Sequence, residues 1–456
     1  MVTTVFKDKK IYEKYKRTVS EIAEKIKNHQ GLVRVITHYD ADGLASGAIL
    51  IKMLYRLNKN FHLSIVEHLN EKIINRIHNE YNNPLYIFCD MGSAHIDTIA
   101  ERDMNAIILD HHPPKLRYTK VEEVHQLNAH LFNLNGAREI SASGICYLVA
   151  REYGFYDLSI FAIIGAIGDM QHEPFIGMNK FIVNEAREYR YLRSIIKDII
   201  YNAYDLPIWQ SIMYSTRPYI KELSDEESAI NLLKEVGIDP NKTYLEGEER
   251  DKLVSALKRY VDESQIVVDR YIINHKIEDA FYLSEILNAC GKKGMGSVGI
   301  GVALEDDECI KIGKEMYIRY KREIIEQLKS IELHKLNNIE YFFGKKGTIG
   351  HMASLLVRDK PVIGIYEEEG YYKISSRGNR LLVERGLDLS KAMGIASQFG
   401  GSGGGHNIAS GARIPKIYLN AFLQKVDEIV GDQLKGEEKR IDKESEDIGK
   451  TDDLLS

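Results

Sequence analysis

Four apolar runs, each ending in acidic or imidazole side chains, constrain this chain more than any other feature. They read LVRVITHYDADG, PLYIFCDMGS, NAIILDHHPP and IFAIIGAIGDM, and all lie between Leu32 and Met170. Helix-like segments such as Ser46 to Arg56 and Lys72 to Tyr81 separate them, and an amphipathic helix carrying Ile11, Tyr15, Ile22 and Ile26 precedes the first. Read as strands alternating with helices, this pattern predicts an α/β domain whose parallel sheet has helices on both faces. Ligands of open parallel sheets bind outside the carboxyl ends of the strands. That rule would gather His38, Asp40, Asp42, Asp90, Asp110, His111, His112 and Asp169 at one rim, although they are scattered along the chain.

Carboxylates packed so closely would repel one another, and some would be driven to protonate. Divalent cations are the simplest remedy. Oxygen and imidazole donors without thiolate favour hard or borderline ions, with manganese ahead of calcium once histidines join the carboxylates. At least six candidate ligands exceed what one ion takes from protein while keeping room for water and substrate, so two ions are expected. A pair about 3.5–4 Å apart can activate a water and stabilise in-line displacement at phosphorus. Taken singly, each element has a bland explanation: HYDADG could be a surface turn, the His pair a solvated loop, Asp90 and Asp169 mere helix caps. Their shared pattern points instead to phosphoester hydrolysis.

The chain has 456 residues, enough for about three units. Pattern changes place them at 1–191, at 192–280 (charged helices punctuated by Pro207, Pro218 and Pro240) and at 281–430. An acidic tail, 431–456, follows and is expected to be disordered. Sixty-one basic residues stand against 67 acidic ones, which gives no overall basic footprint for nucleic acid. Much of that imbalance is local, because Glu437 to Ser456 holds eight acidic and four basic residues. Two divalent cations would cancel four further carboxylates, those of Asp40, Asp42, Asp90 and Asp169, so an acidic chain can still take a phosphate-chain substrate. The four cysteines form no CxxC pair. No apolar stretch is long enough for a membrane-spanning helix. A soluble, cytoplasmic protein is expected.

The motifs resemble those of the DHH phosphoesterase superfamily, named for the triplet that stands here as Asp110, His111 and His112. The resemblance implies one metal held by His38, Asp40 and Asp90 and a second held by Asp42, Asp90, His111 and Asp169. Asp90 would bridge, His112 would face the scissile phosphate and Asp110 would orient the imidazoles. Manganese is the expected ion, with magnesium as the alternative. LNACGKKGMGSVGIG, YYKISSRG and GGSGGGHNIASGARIP resemble the smaller α/β substrate domain that faces the DHH domain across a cleft in RecJ-like exonucleases. Arg377, Gly403, Gly404, Gly405 and His406 match that domain's substrate-binding positions. Together the two matches cover most of residues 30 to 415, and the pattern resembles that of archaeal RecJ-like nucleases.

What this implies is a single-strand-specific exonuclease acting on DNA, or on RNA, in replication or repair. The family also links such proteins to a GINS-like replication complex or a repair helicase, and a homo-oligomer is compatible. Two other functions fit the motifs: a phosphatase or oligoribonuclease for very short nucleotides, and a replication scaffold with weak catalysis. Polarity, sugar preference and substrate length are not encoded in motif spacing.

Overall fold

The computed structural model describes residues 5, 6 and 8–435 in full and the backbone alone from 436 to 452; the tail expected to be disordered from 431 is traced there as helix to Asp452, and residues 453–456 lie outside the described residues. The chain divides into two compact units, one of residues 1–213 and 226–321, the other of 214–225 and 322–456.

In the first unit, α1 (Lys9–Asn28) leads into β1 (Val33–His38), α2 (Ala41–Arg56), β2 (Phe61–Val66), α3 (Glu71–His78), β3 (Leu85–Cys89), α4 (Ile96–Ala100), β4 (Ala106–Asp110), β5 (Lys120–Val121) and β6 (Val124–Asn128). The strands form one sheet in the order β2-β1-β3-β4-β6-β5, parallel except where β5 pairs with β6. The order reverses between β1 and β3, so the loops after these neighbouring strands diverge and leave a crevice at their carboxyl ends. α3 and α4 close one face over an apolar cluster that includes Ile36, Ile74, Phe88 and Ile108. On the other face, α2 packs with α5 (Ala142–Arg151) and α6 (Ser159–Gly168).

Two elements depart from expectation. The fourth apolar run, which ends at Asp169, is the helix α6 and not a strand. It is apolar on every side because α2, α5 and the following α7 (Gly177–Glu188) surround it, and a helix buried all round loses its amphipathic signature. Conversely, β6 carries the polar residues Gln126 and Asn128, both fully buried, and has no apolar run to advertise it. Gln126 spends its amide on the carbonyls of Leu116 and Tyr118, at 3.2 and 2.9 Å.

The segment expected to be helical is framed by an antiparallel ribbon, β7 (Leu192–Ile199) with β8 (Val267–Ile273), around α8 (Ile208–Met213), α9 (Glu226–Glu235) and α10 (Gly247–Leu257). Arg270 locks the ribbon from inside, with both Asp198 and Asp279 at 2.8 Å. Next come α11 (Ala280–Lys292) and α12 (Gly296–Ala303), which pack against α2, and α11 also against α6. The glycine-rich GKKGMGSVGIG therefore belongs to the first compact unit, and the division falls within α13 (Asp307–Ser330) and not near residue 280.

The second unit contains β9 (His334–Lys335), β10 (Glu340–Phe343), α14 (Ile349–Leu356), β11 (Val362–Glu368), β12 (Tyr371–Arg377), α15 (Arg380–Glu384), α16 (Leu389–Gly394), β13 (Ser402–Gly405), β14 (Ala409–Pro415) and α17 (Leu419–Asp452). Its sheet runs β13-β14-β12-β11-β10-β9 and is antiparallel except between β10 and β11. No helix among the described residues is long and apolar enough to cross a membrane.

Candidate metal centre

β1 ends on His38, and the chain turns at once into α2. Asp40 is the N-cap of that helix, its Oδ1 accepting from the Gly43 amide at 3.0 Å. Only glycine fits at 43, because a Cβ there would lie 2.3 Å from the His38 carbonyl oxygen. Asp42, fully buried in the first turn of α2, accepts from the amides of Ala142 (2.6 Å) and Ser143 (3.0 Å) and from the Ser143 hydroxyl. These donors belong to the N-terminus of α5, where the helix dipole favours an anion. Burial and the nearby Asp90 charge nevertheless push the Asp42 carboxyl up to about 6.

Asp90 follows β3 with a left-handed backbone, and that uncommon conformation turns its carboxylate back over the sheet edge. It is 4% exposed and sits between two imidazoles, 3.3 Å from His38 Nδ1 and 3.2 Å from His111 Nε2. Burial opposes its charge, but the imidazoles of His111 and His38 beside it prevail and hold it below the usual carboxylate range. His111 Nε2 is also 3.4 Å from Asp169, the C-cap of α6. The other nitrogen, Nδ1, bonds the Gly136 carbonyl at 2.7 Å, which fixes the tautomer that presents Nε2 to the carboxylates. Gln171 donates to the same carbonyl at 3.0 Å and is held in turn by Asn179 at 2.7 Å. For His38 the backbone partner is the Glu67 carbonyl, 3.1 Å from Nε2. Burial raises the Asp169 carboxyl well above its ordinary value, with Asp42 adding to the effect.

Asp110, 1% exposed, accepts from the Ser93 amide at 3.0 Å and from His112 at both its amide (3.1 Å) and Nδ1 (2.8 Å). Asn128 ties Ser93 Oγ and the His112 carbonyl together, each at 2.8 Å. The Asp110 bond raises the His112 pKa, and with Nδ1 committed the half-exposed ring offers Nε2 outward.

Three groups of side chains are therefore close enough to hold an ion: His38, Asp40 and Asp90; Asp42, His111 and Asp169; and Asp90, His111 and His112. Within each group, one donor atom per residue lies within 4.8 Å of the others. His38 Nδ1 and Asp90 Oδ1 are buried yet form no aligned hydrogen bond. Their lone pairs converge on shared space, and the donors carry only oxygen and imidazole nitrogen, so a hard or borderline divalent cation fits. All eight residues selected at the ends of the apolar runs meet here. Gly136, Ser143, Ser93 and Asn128, which position them, carry no chemistry legible in sequence.

The remaining candidates lie in the second unit. β14 joins β13 to β12, placing Ser410 opposite both Gly405 and Ser376, and Ala409 opposite Arg377. The His406 amide donates to the Ala409 carbonyl at 2.8 Å, so His406 and Arg377 flank one end of the same sheet. Gly403, Gly404 and Gly405 form the exposed edge strand. A Cβ at 403 would lie 2.1 Å from the Met393 oxygen, and one at 405 would lie 2.7 Å from the Ser410 Cα. Arg377 is half-buried, bonded to Ser375 Oγ (3.0 Å) and the Ser376 carbonyl (2.8 Å).

Comparison with known proteins gives consistent matches. Residues 32–165 match the DHH family N-terminal domain and residues 339–432 the DHHA1 domain. An uncharacterised protein of Methanocaldococcus jannaschii is 56% identical over 423 residues, covering 92% of this chain and 98% of its own. Among solved structures, CDC45 from Entamoeba histolytica aligns with a TM-score of 0.57 at 11% identity, over 91% of this chain and 98% of that one. RecJ from Thermus thermophilus in complex with Mn²⁺ aligns at 0.53 and 18% identity, over 91% of this chain and 54% of RecJ. At these identities the structural matches speak to fold.

Proposed function

The chain belongs to the DHH superfamily, and from that premise we propose that it is a RecJ-like, metal-dependent exonuclease hydrolysing phosphodiester bonds of single-stranded nucleic acid. The observation that carries the proposal is the Asp90 carboxylate, buried between two imidazoles and shared by two of the three candidate cation groups. His38, Asp40 and Asp90 would hold one divalent ion, and Asp42, Asp90, His111 and Asp169 a second. Manganese suits this donor set, with magnesium as the alternative. Bound there, the ions would supply an activated water and neutralise charge developing on the phosphate.

The chain's own residues do the rest. Gly136 fixes the His111 ring, and the α5 N-terminus fixes Asp42, so the donors need little rearrangement to act together. Asp110 accepts the Nδ1 proton of His112 and leaves Nε2 to meet a phosphate oxygen or the departing oxygen. Replacing Asp110 by Asn should lower turnover about 10- to 100-fold, the usual cost of losing an orienting partner. Mn²⁺ affinity should change much less, which calorimetric titration beside steady-state kinetics would check.

Arg377 and His406, with the glycines of β13, would grip neighbouring phosphates through charge-assisted bonds and close backbone approach. Arg377→Ala should weaken oligonucleotide binding while bound Mn²⁺, counted by elemental analysis, stays the same. A replication or repair setting, with a GINS-like complex or a helicase as partner, accords with the likeness to CDC45 and RecJ folds. The deciding experiment is digestion of end-labelled single-stranded DNA and RNA with Mn²⁺ and with Mg²⁺. Stepwise shortening of long strands supports the proposal, and stalling beyond a few nucleotides would replace it with a short-substrate phosphodiesterase.

A further inference from the structure

The glycine-rich segment between α11 and α12 has no part in the metal centre, yet it borders it. A cavity of about 650 Å³ opens between this segment and the loop after β1, lined by Tyr39, Lys292, Leu63, Ile65, Ser297 and Ile300, all in the first unit. That volume lies within the range of small-molecule sites. Tyr39 stands between two metal-ligand candidates, His38 and Asp40, so the cavity begins one residue from the proposed chemistry. Glu67, whose carbonyl anchors His38, also stands at its rim.

Small residues keep this space open. A Cβ on Gly291 would lie 1.7 Å from the Tyr39 carbonyl oxygen, and one on Gly296 would lie 2.8 Å from the Ile65 side chain. The α11 terminus is thereby pressed onto the motif loop, and Lys292 Nζ comes 2.7 Å from the Tyr39 hydroxyl and 4.7 Å from its ring centroid. No carboxylate among the described residues is in ion-pair range of Lys292, whereas the rim carboxylate of Glu67 lies 3.8 Å from His68. An aromatic ring, an aliphatic floor and an unneutralised ammonium are what a nucleoside and its phosphate require.

We infer that this cavity is a nucleoside subsite, in which the base next to the scissile phosphate lies against Tyr39 and the Leu63, Ile65 and Ile300 floor while Lys292 takes the adjoining backbone phosphate. The inference rests on the nuclease proposal and deepens it by giving the strand a seat in the catalytic unit itself. Ser297 faces the same space, so a large residue there fills the seat without touching a metal ligand.

The test uses the full-length protein and the variants Ser297→Trp, Lys292→Ala and Lys292→Arg. Anisotropy of a labelled oligothymidylate in EDTA reports binding apart from catalysis. Kinetics with Mn²⁺ then compare the oligonucleotide with bis(p-nitrophenyl) phosphate, a diester too small to reach both the seat and the metals. Ser297→Trp and Lys292→Ala should each weaken oligonucleotide binding about tenfold and raise its KM relative to that of the small ester by a similar factor. Lys292→Arg should restore most of the loss. Unaltered oligonucleotide binding in both Ser297→Trp and Lys292→Ala, or a parallel fall for both substrates, would overturn the subsite. Wild-type protein that binds but cleaves neither substrate would sink the nuclease proposal instead, while the anisotropy arm still decides on the seat.

Discussion

Asp90→Ala is expected to reduce Mn²⁺-dependent hydrolysis on the order of 10³-fold or more, beyond what removing one well-placed electrostatic donor typically costs. The reason is geometric. Its two oxygens approach His38 at 3.3 Å and His111 at 3.2 Å, and both proposed ions would share it. Asp90→Asn is the sharper variant, since asparagine tolerates the left-handed backbone found at this position and keeps the shape while removing the charge. It should lose activity almost as fully. A folding readout separates charge from collapse: a ligand present at about 100 times its Kd stabilises a protein by roughly 2.7 kcal/mol. Mn²⁺ should therefore raise the wild-type melting temperature clearly and that of Asp90→Asn far less. Retained turnover together with a full Mn²⁺-induced shift would show that Asp90 is not the shared ligand.

The parts of this centre that are legible in sequence are those where chemistry and periodicity coincide. β1, β3 and β4 are short apolar runs, and each ends at or beside a ligand-type side chain, so strand and function are read from the same letters. For Asp169 the reading reaches the right residue through the wrong element. Its run reads as a strand, whereas α6 is so deeply enclosed that neither face is polar, and periodicity cannot tell a buried strand from a buried helix segment over such a length. β6 is invisible because Gln126 and Asn128 interrupt its buried apolar residues, and only the fold supplies the loop carbonyls to which their amide groups donate. The ribbon of β7 and β8 depends on pairing between segments far apart in the chain, held by Arg270 with Asp198 and Asp279, and local pattern does not report such pairing. The groups that support the ligands are the least legible part. Gly136 contributes only a carbonyl, and Ser143 a hydroxyl and an amide, so their roles exist only once the fold has brought them beside His111 and Asp42.

Gly165 makes the same point and yields the second large effect. It lies within α6, where alanine would ordinarily stabilise a helix by about 1 kcal/mol relative to glycine. Here a Cβ would come within 2.1 Å of both Asp42 Oδ1 and Ser143 Oγ, atoms that are buried and bonded to each other. Neither is the free end of a flexible chain, because the α5 amides also hold Asp42. Overpacking typically costs about 1–3 kcal/mol, and disturbing bonds to a buried charge adds about 1–3 kcal/mol more, so sterics outweigh propensity. Gly165→Ala should be destabilised by roughly 2 kcal/mol or more in urea unfolding, and it should lose Mn²⁺ affinity through the displaced Asp42. Gly394→Ala provides the contrast. That glycine ends α16 in right-handed helical geometry, with nothing within 4 Å of the added methyl. It should gain about 0.4–1 kcal/mol by restricting the unfolded chain. If Gly165→Ala proved as stable as Gly394→Ala and bound Mn²⁺ as wild type does, Asp42 would have room to move, and its fixed place in the second proposed ion site would have to be abandoned.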